Sequence, residues 1–180
     1  MNMYFIAIVL PEDLNQKVLK LKRLMYDQFA CKVGLKSPAH ITIIPPFWMP
    51  PDLETGLLQD MDFLSRSIPS FPVSVSRFSA FKPRTIFIDV PVTPPLENAK
   101  QTADRFFKTH THYKAKIETR PFHPHITIAT RDLHKKAFAE AWPLFENKAF
   151  EADFVASGLS VLRHNQRDWD VIHTSFFNPS

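Results

Sequence analysis

Residues 4–10 form an apolar, β-favouring run of strand length that ends at Pro11. From Glu12 onward, Leu14, Val18, Leu21, Leu24 and Met25 recur at helical spacing behind two acidic residues, which predicts an amphipathic helix of about four turns. That pattern fades over 31–36. Ser37-Pro38-Ala39 then leads into His40-Ile41-Thr42-Ile43-Ile44, a short strand expected to stop at Pro45-Pro46. Residues 52–67 carry a helical pattern through Leu53, Leu57, Met61 and Leu64, with Asp52 placed as a candidate N-cap. Over 71–81, Phe71, Val73 and Val75 alternate with Ser74 and Ser76, as in a half-buried strand.

The second half repeats this order. An apolar strand over 85–90 meets a Pro-rich turn, a helix is predicted over 96–112, and His125-Ile126-Thr127-Ile128 follows Pro124. Residues 132–145 are helical by pattern, 150–162 are strand-like around Gly158, and a last strand over 169–177 has no counterpart in the first half. The two His-Ile-Thr-Ile segments stand 85 residues apart (125 − 40), and the opening strands 81 (86 − 5). A tetrapeptide that keeps its place within a repeated layout belongs to a duplicated unit. The expected fold is therefore a single α+β domain over 1–180, a β-α-β-α-β unit used twice (halves about 1–81 and 82–180). Two pseudo-symmetric lobes would set antiparallel sheet against antiparallel sheet across a central cleft, with helices outside.

The motif has a chemical reading. Strand alternation turns His40 and Thr42 to one face and Ile41 and Ile43 to the other, and likewise for His125 and Thr127. Pseudo-symmetry would then bring two imidazoles and two hydroxyls into one polar cleft. That set suits displacement at phosphorus: a neutral imidazole takes a proton from the attacking group, and a protonated one gives a proton to the departing oxygen. The hydroxyls can donate to the non-bridging oxygens, so the scheme calls for no metal and no cofactor. A lone histidine on a strand is more often a satisfied surface or core residue; the duplication is what favours catalysis.

Composition narrows the alternatives. With only 3 Gly, all isolated, among 180 residues, neither a P-loop, a dinucleotide fingerprint nor a Gly-x-Ser-x-Gly elbow can be written. The single Cys31 has no disulfide or zinc partner, and the apolar run near the start lacks the features of a signal peptide, so a cytoplasmic, monomeric protein is expected. A formal net charge of +4 leans towards anionic partners without deciding anything.

The motif pair His40-Ile41-Thr42-Ile43 and His125-Ile126-Thr127-Ile128 resembles the signature of the two-histidine phosphoesterases, the group holding 2′-5′ RNA ligases and RNA 2′,3′-cyclic phosphodiesterases. The resemblance covers most of the chain and implies a bilobal fold with the active site between the lobes. It also implies His40 and His125 as acid and base, Thr42 and Thr127 on the phosphate, no metal, and RNA ends or nucleotide cyclic phosphates as substrates. Many relatives carry a basic residue five positions after the second histidine. Here that position is Thr130 and Arg131 follows, so Arg131 is a candidate phosphate contact, with a plain surface arginine as the alternative. After the first motif the chain has Pro45-Pro46-Phe47-Trp48 instead of an aromatic and a glycine, which predicts a stiffer segment.

Phe122, Phe47 and Trp48 flank the motifs and are candidates for stacking on a base, against core packing as the ordinary fate of a Phe in a chain with 17 of them. Two further readings compete with the enzyme just described. One is a non-catalytic RNA- or nucleotide-binding module. The other is a metal-dependent hydrolase using His123 and His125, disfavoured because Pro124 puts His123 outside the strand and no carboxylate joins the motif.

Overall fold

The computed structural model of the protein describes residues 1–179. Strand β1 (Asn2–Val9) leads into helix α1 (Glu12–Phe29). Glu12 and Asp13 in the first turn of α1 complement the helix dipole. The helix closes at Ala30, a left-handed residue with φ 57°, where the Cys31 N–H reaches back to the Met25 carbonyl at 3.2 Å. Glycine is the usual residue for that closure; alanine adopts it here at some cost in backbone strain.

Strand β2 (His40–Met49) does not stop at Pro45-Pro46 as the sequence suggests. The register with β1 jumps from Ile6↔Ile44 to Tyr4↔Phe47, so the prolines sit in an irregularity. β2 is also an edge strand, which spares them from supplying ladder N–H groups on its open side. Helix α2 (Glu54–Ser65) is preceded by a 3₁₀ turn, Pro51–Leu53, that contains Asp52; Asp52 is thus inside the turn and caps nothing. Next come β3 (Phe71–Phe81), β4 (Thr85–Asp89), α3 (Pro94–Thr109) and β5 (His125–Ala129). The helix predicted over 132–145 shrinks to α4 (Lys135–Ala141) plus a 3₁₀ turn, because Asp132 is drawn into a side-chain role described below. The segment around Gly158 is two strands, β6 (Ala149–Ala156) and β7 (Gly158–His164), followed by β8 (Trp169–Phe176).

All neighbouring strands pair antiparallel in two four-stranded sheets, ordered β2-β1-β7-β8 and β5-β4-β3-β6. The lobes are not the two halves of the chain. β3, from the first repeat, pairs with β4 and β6, while β7 and β8 return to the first sheet beside β1. The helices cross over too: α1 packs on β5, and α3 packs on β2. One apolar cluster, with Tyr4, Ile6, Ile41, Ile43, Ile86, Ile126 and Ile128 all at 1% exposure or less, runs through both sheets. Among the described residues no helix is long and apolar enough to cross a membrane.

Candidate active site

The two motif strands are edge strands of different sheets, and they touch one another. In each, the isoleucines are buried in the core while His and Thr are half-buried on the opposite face, as strand alternation requires. The cleft between the strands consists of two adjoining cavities, of about 340 Å³ on the His40 side and about 440 Å³ on the His125 side. Thr42 lines both. Thr127 joins His40 on the walls of the first, and Phe122 joins His125 on the walls of the second.

The two imidazoles are held the same way. Nδ1 of His40 donates to the Pro38 carbonyl at 2.7 Å, and Nδ1 of His125 donates to the His123 carbonyl at 2.8 Å. A carbonyl can only accept, so in the neutral ring Nδ1 carries the hydrogen and Nε2 holds the lone pair. Among the described residues neither Nε2 has a hydrogen-bond partner. The rings rest on aromatic neighbours: Phe5 lies 4.9 Å from His40, and Phe87 lies 5.0 Å from His125, centroid to centroid.

Their electrostatic settings differ. Burial pulls His40 down to about 4, with the Lys22 ammonium and His125 adding to the effect and the Pro38 hydrogen bond opposing it. His125 is lowered as well, again chiefly by burial; its hydrogen bond to the His123 carbonyl opposes the shift, the charge of the His123 ring adds to it, and the Asp89 carboxylate opposes it. The strand register explains the contrast. The residue directly across from His40 is Val9, whereas the residue across from His125 is Asp89. Asp89 in turn receives Arg77 at 3.0 Å and stands 3.4 Å from His123 Nε2.

Of the residues singled out by sequence, His40, Thr42, His125, Thr127, Arg131 and Phe122 all line the cleft. Phe47 does not. It is 2% exposed and packs between Tyr4 and Phe107, because the irregularity at the prolines turns it inward, so it offers no face to a ligand. Trp48, on the alternate face of β2, is 54% exposed and outside both cavities. His123 lies outside β5, and among the described residues no group of three or more His, Cys, Asp or Glu is gathered to hold a metal ion.

Two lysines escaped the sequence reading. Lys22 on α1 lines the first cavity and is 4% exposed; Lys100 on α3 lines the second and is 7% exposed. Both interrupt an otherwise apolar helical stripe, Leu14-Val18-Lys22-Met25 and Leu96-Lys100-Ala103-Phe107, and that interruption was the available signal. Asp132 was also missed. Its Oδ2 accepts from the Lys32 and Val33 N–H groups at 2.6 and 3.1 Å, tying the segment after α1 to the turn in which Arg131 adopts φ 47°.

Comparison with known proteins agrees with this architecture. A crystal structure of TT0787 from Thermus thermophilus superposes with a TM-score of 0.72 at 17% identity, covering 100% of both chains. LigT of E. coli superposes with a TM-score of 0.64 at 15% identity in a complex with 3′-AMP, and 0.62 at 16% in a complex with NADP+, each covering 98% of both chains. At the sequence level the chain is 25% identical over 138 residues to the OB1230 protein of Oceanobacillus iheyensis, spanning 76% of this chain and 78% of that one. The model of the 2′-5′ RNA ligase superfamily matches residues 10–168, a span that takes in both His-Ile-Thr-Ile strands. The chain therefore belongs to the 2′-5′ RNA ligase superfamily of two-histidine phosphoesterases.

Proposed function

We propose that the protein is a metal-independent phosphoesterase that opens a 2′,3′-cyclic phosphate at an RNA end or on a nucleotide, with His40 and His125 as its acid–base pair. The observation that carries this reading is the matched tethering of both rings through Nδ1, which leaves two free Nε2 atoms on one cleft walled by Thr42 and Thr127. A water oxygen attacks phosphorus, and its proton passes to the neutral imidazole. The bond from phosphorus to one ribose oxygen breaks, and that oxygen takes a proton from the imidazolium on the other side. Water is added across the bond, and the pair ends with its protonation exchanged. Thr42 and Thr127 donate to the non-bridging oxygens, where negative charge accumulates. With a ribose 5′-hydroxyl in place of water and O3′ leaving, the same pair would yield a 2′-5′ linkage.

Arg131, beside Thr127, is the candidate contact for a phosphate oxygen, and Phe122 is the candidate face for a base. The E. coli neighbour's complexes with 3′-AMP and NADP+ make nucleotide ligands a reasonable class to try here. All of these groups come from one chain, which suits a monomer, and the buried Cys31 thiol suits the reducing cytoplasm.

The deciding experiment is hydrolysis of nucleoside 2′,3′-cyclic phosphates in the presence of chelator. Turnover by the wild type, with a loss of about 10²–10⁴-fold in folded His40→Ala and in folded His125→Ala, supports the paired-imidazole scheme. Nucleotide binding without turnover would leave a binding module instead. Activity abolished by chelator would move the reading to a metal-dependent hydrolase.

A further inference from the structure

The first cavity holds more positive charge than one reacting phosphate needs. Lys22 reaches it from the apolar stripe of α1 and is only 4% exposed. Its ammonium has three N–H donors, and its one protein hydrogen bond runs to a neutral acceptor, the Ser37 carbonyl, at 2.9 Å. Among the described residues no carboxylate pairs with it, and no Asp or Glu lines the cavity; Lys36 and Arg131 do. Lys100 is the instructive contrast. Similarly buried, it is satisfied by Asp104 Oδ1 at 2.7 Å and the Ile43 carbonyl at 2.9 Å, as a structural lysine should be.

A buried ammonium left with one neutral acceptor costs stability. Burial alone draws Lys22 down to about 8, so it still carries its charge at neutral pH. The rim around it is preorganised, because Asp132 binds the Lys32 and Val33 amides and so ties the segment bearing Lys36 to the turn bearing Arg131. On the other side Phe5 and Trp169 meet edge to face at 4.6 Å, giving the cavity an apolar wall beside its cations.

We propose that this cavity is a second anion subsite centred on Lys22, which takes a phosphate other than the one lying between the histidines. The ligand class is a nucleotide or oligonucleotide end bearing at least two phosphate groups. This rests on the reading of the cleft as a phosphoesterase site and extends it from a single cyclic phosphate to a multiply phosphorylated substrate.

The test is calorimetric titration of the full chain with adenosine 2′-monophosphate and with adenosine 2′,5′-bisphosphate. The wild type should bind the bisphosphate about tenfold more tightly or better, the scale of one charge-assisted contact. Lys22→Met should bring the ratio to within about twofold, and Lys36→Ala, at an exposed position on the same cavity, should also reduce it. Lys22→Met should in addition unfold at the same temperature as the wild type or higher, since it removes an unpaired buried charge. Equal binding of the two nucleotides by the wild type overturns the proposal, as does an undiminished ratio in both variants or no measurable binding of the bisphosphate. Equal weakening of both nucleotides by Lys22→Met overturns it too, because Lys22 would then serve the phosphate between the histidines. Failure of the two readings is separable: a bisphosphate preference without turnover of cyclic phosphate retains the subsite and discards the reaction, and turnover without the preference does the reverse.

Discussion

Val9 and Asp89 occupy matching positions in the two sheets, each directly across from a motif histidine, and they make two similarly tethered imidazoles unequal. Beside Val9 and Lys22 the cation on His40 has no favourable charge near it; beside Asp89 the cation on His125 gains one, set against the charge of His123. In the proposed scheme a singly protonated pair therefore carries its proton on His125, which acts as the acid while His40 acts as the base. The proposed reaction requires one neutral and one protonated ring. As pH falls through about 4, His40 takes a proton and the neutral member is lost. As pH rises through the folded value of His125, which lies below its ordinary 6.5, the protonated member is lost. The pH profile of kcat/KM on a cyclic phosphate is expected to be a bell lying on the acid side of 6.5. The kcat profile should be displaced upward, because a bound phosphate anion favours the imidazolium. Asp89→Asn should move the upper limb of kcat/KM to lower pH. A kcat/KM maximum above about pH 7, or an upper limb unmoved by Asp89→Asn, would sink this account.

At the scale of elements, this chain uses glycine for close approach instead of for unusual dihedrals. No glycine has positive φ, while Ala30 and Arg131 do. A Cβ on Gly34 would lie 2.5 Å from the Ile128 carbonyl oxygen, so only glycine lets the segment after α1 press against the second motif strand. Gly158 meets the Ser175 carbonyl in the same way at 2.6 Å, at the start of β7 and away from both cavities. Gly34→Ala and Gly158→Ala should each cost about 1–3 kcal/mol in urea denaturation, the usual range for forced overpacking. Only Gly34→Ala should also lower kcat/KM per folded molecule, since it pushes β5 away from Lys22 and His40. Equal activities per folded molecule for the two variants would show that this approach does not shape the cleft. The elements themselves were mostly legible from period and punctuation: β1, α1, β3 and β4 fall close to where the apolar spacing puts them. The errors are at β2 and α4. Proline signals a strand's end only where its missing N–H is needed, and an irregular edge does not need it. Asp132 reads as a helix start until its carboxylate is seen to bind two amides far away in sequence, at Lys32 and Val33.

At the scale of the molecule, exchange of strands makes the halves interdependent. The first repeat supplies β3 to the second sheet, the second repeat supplies β7 and β8 to the first, and each long helix lies under the other repeat's motif strand. Fragments 1–81 and 82–180 are therefore expected to be unfolded alone by circular dichroism and to recover native signal only when mixed; a cooperative thermal transition in fragment 1–81 by itself would refute that interdependence. The sequence by itself determined the duplicated layout and the shared facing of His40 with Thr42 and of His125 with Thr127. Those features depend on alternation within a few residues and on a pattern repeated along one chain. Only the tertiary structure decided that β3 and β7 change sheets, that Phe47 is core and Phe122 is cleft, and that Asp89 and Lys22 set the two histidines apart. Each of these is a contact between residues remote in sequence, and local periodicity carries no information about which distant surface a strand or helix will meet.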